Sequence, residues 1–335
     1  MLEYVKVAIT LVPIVRDIIK AQSGEKEFDI EDVDIQSSLE QHLREVSNWA
    51  SRIQFFGMAS AMDTDGTSVP LHFHTTPRRF RGKLLDEAVS DESQLLCGQS
   101  NILILGDPGA GKTTTIKRLA IRLLSPSKSE EDKFNCPLLI RMKDIGEDET
   151  ISEHVIGKIG LTKFLKNDVS DLKKRKRYEF LTLSGKPVIN QVASFMNKTG
   201  CVLLVDGLDE TGLLNFSNYK NELSSLAGLL SNPSIVASCR SGDYDKTFEH
   251  FDVIEILPLD SPQIELIGRA WLGDRFDGFL DTVKQFPSED LLDRPLILSQ
   301  LLFLYSRQGD LPEQPSSIYS RLKKKGSCRY VCNEL

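Results

Sequence analysis

Asn101-Ile-Leu-Ile-Leu-Gly-Asp-Pro-Gly-Ala-Gly-Lys-Thr113 is the most informative stretch of the chain. Residues 101–105 form a short apolar run, which is typical of a parallel strand covered on both faces. The pattern G-x-x-x-x-G-K-[ST] follows at 106–113, and residues 113–124 then place apolar side chains on one helical face. A strand, a glycine-rich loop and a helix in this order predict a phosphate-binding loop rather than an ordinary strand-to-helix turn.

The residue types of this loop suit phosphate. Glycines let consecutive backbone N–H groups curve around phosphate oxygens, and the helix N-terminus adds a partial positive charge. We expect Lys112 to contact the β- and γ-phosphates and the Thr113 hydroxyl to bind Mg²⁺. The predicted nucleotide-binding residues of the loop are Gly106, Asp107, Pro108, Gly109, Ala110, Gly111, Lys112, Thr113 and Thr114.

Two later strands carry charged residues at their ends. Cys201-Val-Leu-Leu-Val-Asp206 is an apolar run that ends in an acid, and Asp209 and Glu210 follow shortly after. Because α/β sheets bind ligands at the carboxyl ends of their strands, Asp206 is predicted to bind Mg²⁺ and Asp209 or Glu210 to hold the attacking water. Arg240 ends a similar run, where a guanidinium either senses the γ-phosphate or forms a surface ion pair.

The rest of the chain divides by its pattern. Apolar runs at 137–141, 201–205, 234–238 and 253–257 alternate with helical stretches, which predicts a parallel α/β sheet. After residue 258 the pattern is helical, with helices at 262–272, capped by Ser261, and at 291–305. The first 75 residues predict a separate, mainly helical unit, with a first helix kinked or delayed by Pro13 and a turn or linker at 62–68.

Composition narrows the class of protein. The 335 residues carry a net charge of −7, with 40% hydrophobic and 27% charged residues, which excludes collagen-like, disordered and disulfide-scaffold proteins. Six cysteines without a C-x-x-C pair indicate a reducing compartment, and Cys136, Cys201 and Cys239 are expected to be buried. No apolar run is long enough to cross a membrane. We therefore expect a cytoplasmic protein without a membrane partner.

Two further features carry weaker signals. His72 and His74 lie two residues apart, which is at most half of a metal site because no acidic or cysteine partner is near in sequence. The basic run 173–177 is either a solvated helix face or a patch for nucleic acid. Given the acidic remainder of the chain, we expect the solvated face and no nucleic-acid partner.

Together these segments resemble the NACHT family of STAND NTPases, the signal-transducing P-loop ATPases, over about residues 95–322. The matching segments are GDPGAGKTTTIKRLA (106–120), PLLIRMKDI (137–145), CVLLVDGLDE (201–210), IVASCRSGDY (235–244), VIEILPLDSPQIELIGRAWLG (253–273) and LLDRPLILSQLLFLY (291–305). The sequence looks most like bacterial members, which serve in anti-phage defence.

The resemblance implies a fold and a site. It implies a three-layer α/β/α P-loop sheet in 5-1-4-3-2 order, followed by a small helical domain. It implies ATP or ADP and Mg²⁺ as ligands, with Asp206 binding Mg²⁺ through water, Arg240 sensing the γ-phosphate and Pro295 packing near the adenine. The implied units are residues 1–75, a nucleotide-binding domain at 76–258, a helical domain at 259–322 and an irregular tail at 323–335.

The resemblance also implies a switch that oligomerises with ATP bound and resets by slow hydrolysis. Three alternatives stay open: an ATPase acting on nucleic acid, a small-molecule kinase, and a scaffold that binds nucleotide without hydrolysing it. Family members continue into a winged-helix domain that helps to hold ADP, whereas this sequence changes to Lys-Lys-Lys-Gly-Ser at 323–327. We therefore expect a truncated product or one piece of a split gene.

Overall fold

The computed structural model describes most of the chain. The described residues are 2–23, 32–54, 58, 61–75, 77, 88–89, 92–96, 100–125, 136–146, 149–161, 165–167, 181–183, 186–211, 213–244, 248–284, 292–309 and 311. The basic run 173–177 and the tail 323–335, on which the expectation of a truncated product depends, lie outside these residues.

A seven-stranded sheet forms the centre of the molecule, in the order β4-β3-β12-β5-β11-β10-β6. Its strands are β3 (Phe73–His74), β4 (Ala88–Val89), β5 (Asn101–Gly106), β6 (Pro137–Arg141), β10 (Val202–Asp206), β11 (Ile235–Arg240) and β12 (Phe251–Ile256). Strand β3 pairs antiparallel with β12 on one side and with β4 on the other, and the remaining five strands run parallel to one another. Numbered along the chain, the five parallel strands have the order 5-1-4-3-2, which confirms the expected P-loop topology.

Small sheets and helices complete the structure. A two-stranded sheet pairs β1 (Arg52–Ile53) with β2 (Met62–Asp63), and a three-stranded sheet joins β7 (Leu165–Asn167), β8 (Leu181–Leu183) and β9 (Lys186–Pro187). The helices are α1 (Leu2–Ser23), α2 (Asp32–Ala50), α3 (Thr64–Thr67), α4 (Lys112–Leu124), α5 (Ile151–Lys158), α6 (Val188–Thr199), α7 (Leu213–Leu229), α8 (Ser261–Leu272), α9 (Phe276–Val283) and α10 (Pro295–Gln308).

Helices cover both faces of the sheet. One apolar cluster joins buried residues of α1, α2, α5, α6 and α7 to the sheet, and the other joins those of α4, α8, α9 and α10 to the opposite face. The N-terminal helices α1 and α2 thus contribute to the same core as the strands. A boundary near residue 75 stays a prediction. No helix in the described part of the chain combines the length and the apolar character of a membrane span.

Several predicted element ends need correction. Helix α1 runs from Leu2 through Pro13, so a delayed start is wrong. Helix α8 is capped by Asp260 rather than Ser261, because the Asp260 carboxylate accepts the Gln263 backbone N–H and completes a capping box. Helix α10 begins at Pro295 and not at 291, since the residue before a proline avoids helical geometry.

The stretch 62–68 is more ordered than a linker. It contains strand β2 of the two-stranded sheet and the one-turn helix α3. The Asp63 carboxylate caps α3 by accepting the Gly66 N–H at 2.7 Å. The last sheet strand also lies earlier than predicted, at 251–256 instead of 253–257, because its Phe251 already pairs with Asn101. Cys136, Cys201 and Cys239 are buried and free, as expected.

Candidate functional site

The phosphate loop leaves β5 and turns into α4 through two glycines with left-handed backbone. Gly109 has φ +77° and Gly111 has φ +103°, a region in which side chains are strained. A Cβ at Gly109 would lie 2.9 Å from Leu296 Cβ, and one at Gly111 would lie 2.7 Å from Leu71 Cδ1. Both positions therefore require glycine for conformation and for space.

Lys112 and Thr113 open helix α4 directly after this loop. The Lys112 ammonium donates to the carbonyl oxygens of Gly106 at 2.7 Å and Asp107 at 3.2 Å, which folds the side chain back over the loop. Burial lowers the pKa of Lys112, and the nearby Asp209 carboxylate partly opposes that shift. A half-buried ammonium group at this point is suited to donate hydrogen bonds to phosphate oxygens.

Asp206 ends β10 opposite Thr113. The Thr113 hydroxyl donates to Asp206 Oδ1 at 3.1 Å, and the buried Ser238 hydroxyl donates to the same oxygen, also at 3.1 Å. Ser238 in turn accepts the Gly207 backbone N–H at 2.9 Å. Burial raises the pKa of Asp206, against the effect of these two hydrogen bonds. A hydroxyl and a carboxylate that meet in this way offer the hard oxygen ligands that Mg²⁺ prefers.

Asp209 and Arg240 form an ion pair inside the site. Asp209 Oδ2 accepts from Arg240 Nε at 2.8 Å, and Asp209 Oδ1 accepts the Arg240 backbone N–H at 2.9 Å. The Asp209 side chain is 5% exposed and the Arg240 side chain 34% exposed. Both oxygens of Asp209 thus hold Arg240, and within the described part of the chain the guanidinium is bonded through Nε, so that its Nη groups are available to a ligand.

Glu210 follows in the same turn and is exposed. Its side chain covers Gly207, where φ is +77° and a Cβ would lie 2.8 Å from Glu210 Cδ. Because both oxygens of Asp209 hold Arg240, Glu210 is the better candidate of the two for holding a water molecule.

These groups face one cavity of about 270 Å³. Its polar part is formed by Lys112, Thr113, Thr114, Asp206, Asp209, Glu210, Ser238 and Arg240, together with the loop residues Pro108, Gly109 and Gly111. The predicted loop residues Asp107 and Ala110 instead line a separate cavity of about 70 Å³, and Gly106 lines neither of the two. Most of the predicted site residues therefore converge on a single space.

The apolar part of the cavity comes from two distant parts of the chain. Pro295 and Leu296 begin helix α10, and the Leu296 backbone N–H donates to the Gly109 carbonyl at 3.2 Å. Pro295, predicted near a nucleobase, is a lining residue. Sequence reasoning missed the other members, which are Ile53, Thr67, Ser68, Val69, Leu71, Ile267, Trp271 and Ser299. They follow no motif, and only the short apolar stretch Val69-Pro70-Leu71 beside the predicted turn pointed to a buried segment.

The two histidines of the weak metal signal lie outside this cavity. His74 is buried in β3, whereas His72 Nδ1 lies 3.3 Å from Asp260 Oδ2 at the start of α8. Among the described residues, no group of three or more His, Cys, Asp or Glu side chains is arranged to hold a metal ion.

Comparison with known proteins gives one family match and several distant structures. A family model described as the NACHT domain matches residues 100–275, more than half of the chain. A search of curated proteins finds no match.

Three solved structures illustrate the similarity. One is a signal transduction ATPase with numerous domains (STAND) from Pyrococcus horikoshii, with a tetratricopeptide repeat sensor, at 13% identity and TM-score 0.45 over 74% of this chain and 33% of that one. A Walker-type ATPase of Pyrococcus abyssi gives 15% identity and TM-score 0.37 over 69% of each chain. Drosophila ORC bound to DNA gives 13% and 0.41 over 93% of this chain and 74% of that one. The matched region thus spans about a third of the STAND protein's length.

Proposed function

Because the chain belongs to the NACHT family of P-loop NTPases, we propose that it is a molecular switch that binds ATP with Mg²⁺ and hydrolyses it slowly. The observation that carries this proposal is the convergence of Lys112, the Thr113–Asp206 pair and the Asp209–Arg240 pair on one cavity. An apolar part of the same cavity accommodates a nucleoside. The preference for adenine rests on the resemblance to ATP-dependent members of the family.

Each polar group has a distinct part in this proposal. The loop N–H groups and Lys112 bind the β- and γ-phosphates. Thr113 and Asp206 would hold Mg²⁺, which when bound neutralises charge on the β- and γ-phosphate oxygens. Glu210 orients the attacking water and accepts its proton. Arg240, fixed by Asp209, places its Nη groups toward the γ-phosphate and stabilises the charge that develops during transfer.

Arg240 also suits a switch. A ligand shifts a conformational equilibrium only through contacts that differ between two states, and the γ-phosphate is the chemical difference between ATP and ADP. Helix α10 contacts the phosphate loop directly through the Leu296–Gly109 hydrogen bond. We infer that ATP reorients the helical region and promotes self-association, and that hydrolysis resets it. A cytoplasmic role in bacterial defence against phage belongs to the same proposal.

Nucleotide carried through purification tests the proposal. The protein is purified gently and denatured, and the released nucleotide is identified by chromatography, with Lys112→Ala as the comparison. We expect near-stoichiometric ADP or ATP from the wild type and little from the variant, because the variant loses a charged phosphate contact. Wild-type protein that neither carries nor binds nucleotide would overturn the proposal.

Turnover separates the switch from the open alternatives. A kinase or a nucleic-acid translocase should exceed about 1 turnover per second with its substrate present, whereas a switch is far slower. A scaffold that only binds nucleotide should release no phosphate even over hours. Slow phosphate release that disappears in Lys112→Ala is the expected result.

A further inference from the structure

Residues 61–71, here called the strap, cross the apolar part of the nucleotide cavity. Four of them line it, namely Thr67, Ser68, Val69 and Leu71. One end of the strap is attached to the end of helix α2, because the Thr64 N–H donates to Ser51 O at 3.0 Å and the Thr64 hydroxyl donates to Ala50 O. At the other end, His72 O accepts the Leu257 N–H next to the central sheet.

Helix α4, which carries Lys112 and Thr113 at its start, fixes the strap from the side of the phosphate loop. Arg118 Nη1 donates to Ser68 Oγ at 3.3 Å, and Arg118 Nε donates to the buried Glu92 carboxylate at 2.6 Å. The preceding residue, Lys117, donates to the Arg52 carbonyl in β1, the strand that pairs with the beginning of the strap. Two basic side chains of helix α4 thus hold this side of the strap and the strand paired with it.

Helix α8 fixes the strap from the opposite side. Gln263 Nε2 donates to Pro70 O at 2.7 Å, and Trp271 Nε1 donates to Thr67 O at 3.3 Å. Gln263 is 7% exposed, and its Oε1 accepts the Asp260 N–H at 3.0 Å. Because both ends of the Gln263 amide are used, the side chain has one orientation, and its donation to Pro70 is part of the fold.

We propose that Gln263 is a positioning residue for the nucleoside part of the ligand, which it recognises indirectly through Pro70. This inference rests on the proposed nucleotide-binding function. Pro70 lies between Val69 and Leu71, both of which line the cavity, so a shift of the Pro70 carbonyl moves both lining residues. Gln263 itself does not line the cavity. Its loss should therefore weaken a ligand that has a base and a ribose, and leave a ligand of phosphate alone unaffected.

Gln263→Glu tests this role selectively. A glutamate still accepts the Asp260 N–H in the capping box, which preserves the start of helix α8, but it does not donate to Pro70. Binding of ADP and of inorganic tripolyphosphate is measured by titration calorimetry with Mg²⁺ present. We expect the Kd of ADP to rise about 10-fold and the Kd of tripolyphosphate to stay within about 2-fold, since one buried hydrogen bond is replaced by repulsion.

Two further variants make the result decisive. Gln36→Glu is the matched control, because Gln36 donates to Glu40 within helix α2 and lies outside the cavity lining; it should change neither Kd. Gln263→Met also removes the donation to Pro70, while the Asp260 carboxylate still caps helix α8 by accepting the backbone N–H of position 263. It should weaken ADP but not tripolyphosphate, and it tests the same contact if Gln263→Glu fails to fold.

The outcomes are distinguishable. Equal weakening of ADP and tripolyphosphate in Gln263→Glu, or no weakening of either, would overturn the role of Gln263 while the proposed function stands. Wild-type protein that binds neither ligand would overturn the proposed function and this inference with it.

Discussion

The neighbouring acids Asp209 and Glu210 differ in their contacts: Asp209 positions Arg240, whereas Glu210 is the candidate general base. They follow Asp206 in one turn, yet Asp209 is 5% exposed and holds Arg240 through both oxygens, whereas Glu210 is exposed. Because each oxygen of Asp209 already accepts a hydrogen bond from Arg240, this side chain is less suited than Glu210 to hold a water molecule. We therefore expect Glu210, rather than Asp209, to hold the attacking water.

Glu210→Gln should lower the rate of ATP hydrolysis by about 100-fold or more, because a positioned general base contributes roughly 10² to 10⁴ in rate. Nucleotide binding should be retained, since Glu210 is not among the groups expected to hold phosphate or Mg²⁺. Single-turnover phosphate release and ADP titration measure the two effects separately. Glu265→Gln, on an exposed ion pair of helix α8, is the control. Hydrolysis at the wild-type rate in Glu210→Gln would contradict the assignment.

At the scale of elements, helix α2 contacts the edge strand β6 of the central sheet through the imidazole of His42. His42 Nε2 accepts the Leu139 backbone N–H of the edge strand β6 at 3.3 Å. Burial, with Lys158 as the next cause, lowers the pKa of His42 from 6.5 to about 4, and Glu45 opposes the shift. Only a neutral ring accepts this hydrogen bond, so the contact between α2 and the sheet depends on pH.

Stability should follow the state of His42. Because its pKa is depressed in the folded state, its contribution to the free energy of unfolding is fully present above pH 6.5 and is lost between pH 6.5 and 4, by about 3 kcal/mol. His42→Gln keeps an acceptor for Leu139 but does not titrate. The wild type should therefore lose stability relative to this variant as pH falls from 7 to 4, in urea unfolding measured across that range.

The wild type must be compared with His42→Gln because a second buried group, Glu222, changes stability with pH in the opposite direction. This buried carboxylate accepts the N–H groups of Ile151 and Ser152, and burial raises its pKa from 4.5 to about 7. Its contribution to stability is present below pH 4.5 and is lost as pH rises to 7. Glu222 is common to the wild type and to His42→Gln, so its effect cancels in the difference. Parallel pH profiles would contradict the role of His42.

Helices α8 and α9 pack closely because Gly268 has no side chain. A Cβ at this position would lie 1.9 Å from Phe276 Cε2, and Phe276 is fully buried beneath it. Gly268→Ala should lower the free energy of unfolding by about 2 kcal/mol, the usual cost of overpacking a core. Gly242→Ala, which meets no atom within 4 Å, should stay within about 0.5 kcal/mol. Equal urea midpoints for the two variants would show that Phe276 moves aside freely.

At the scale of the whole molecule, the features that the sequence predicts are local, whereas those that it misses depend on contacts between residues far apart in the chain. The phosphate loop and the parallel strands follow from local apolar runs and one motif, whereas the order of the sheet is implied by the resemblance to the NACHT family. The strap does not, because its contacts join residues 193 positions apart for Gln263 and Pro70 and 204 apart for Trp271 and Thr67. Turn residues at 62–68 predict a bend, but they do not predict that helix α8 packs against it.

Asn101, at the start of the strand that leads into the phosphate loop, also has a role that depends on residues far away in the sequence. The sequence places it at the start of an apolar strand, where a polar residue has no evident purpose. In the fold its Oδ1 accepts the N–H groups of Ser234 and Ile235, and its Nδ2 donates to His250 O, which joins the beginnings of three adjacent strands. Partners 133 to 149 residues away give no local signal.

The strand order has a consequence for the time at which the site forms during synthesis. Strand β5 and its phosphate loop leave the ribosome early, but the two strands that flank β5, and helix α8, are translated more than 120 residues later. The 193 residues between Pro70 and Gln263 take roughly 10 to 40 s to translate at 5–20 residues per second. A nascent chain thus carries the phosphate motif and the strap before helices α8 and α10, which complete the cavity, have been made. Under the proposed function, we expect tight nucleotide binding only once this region has been translated.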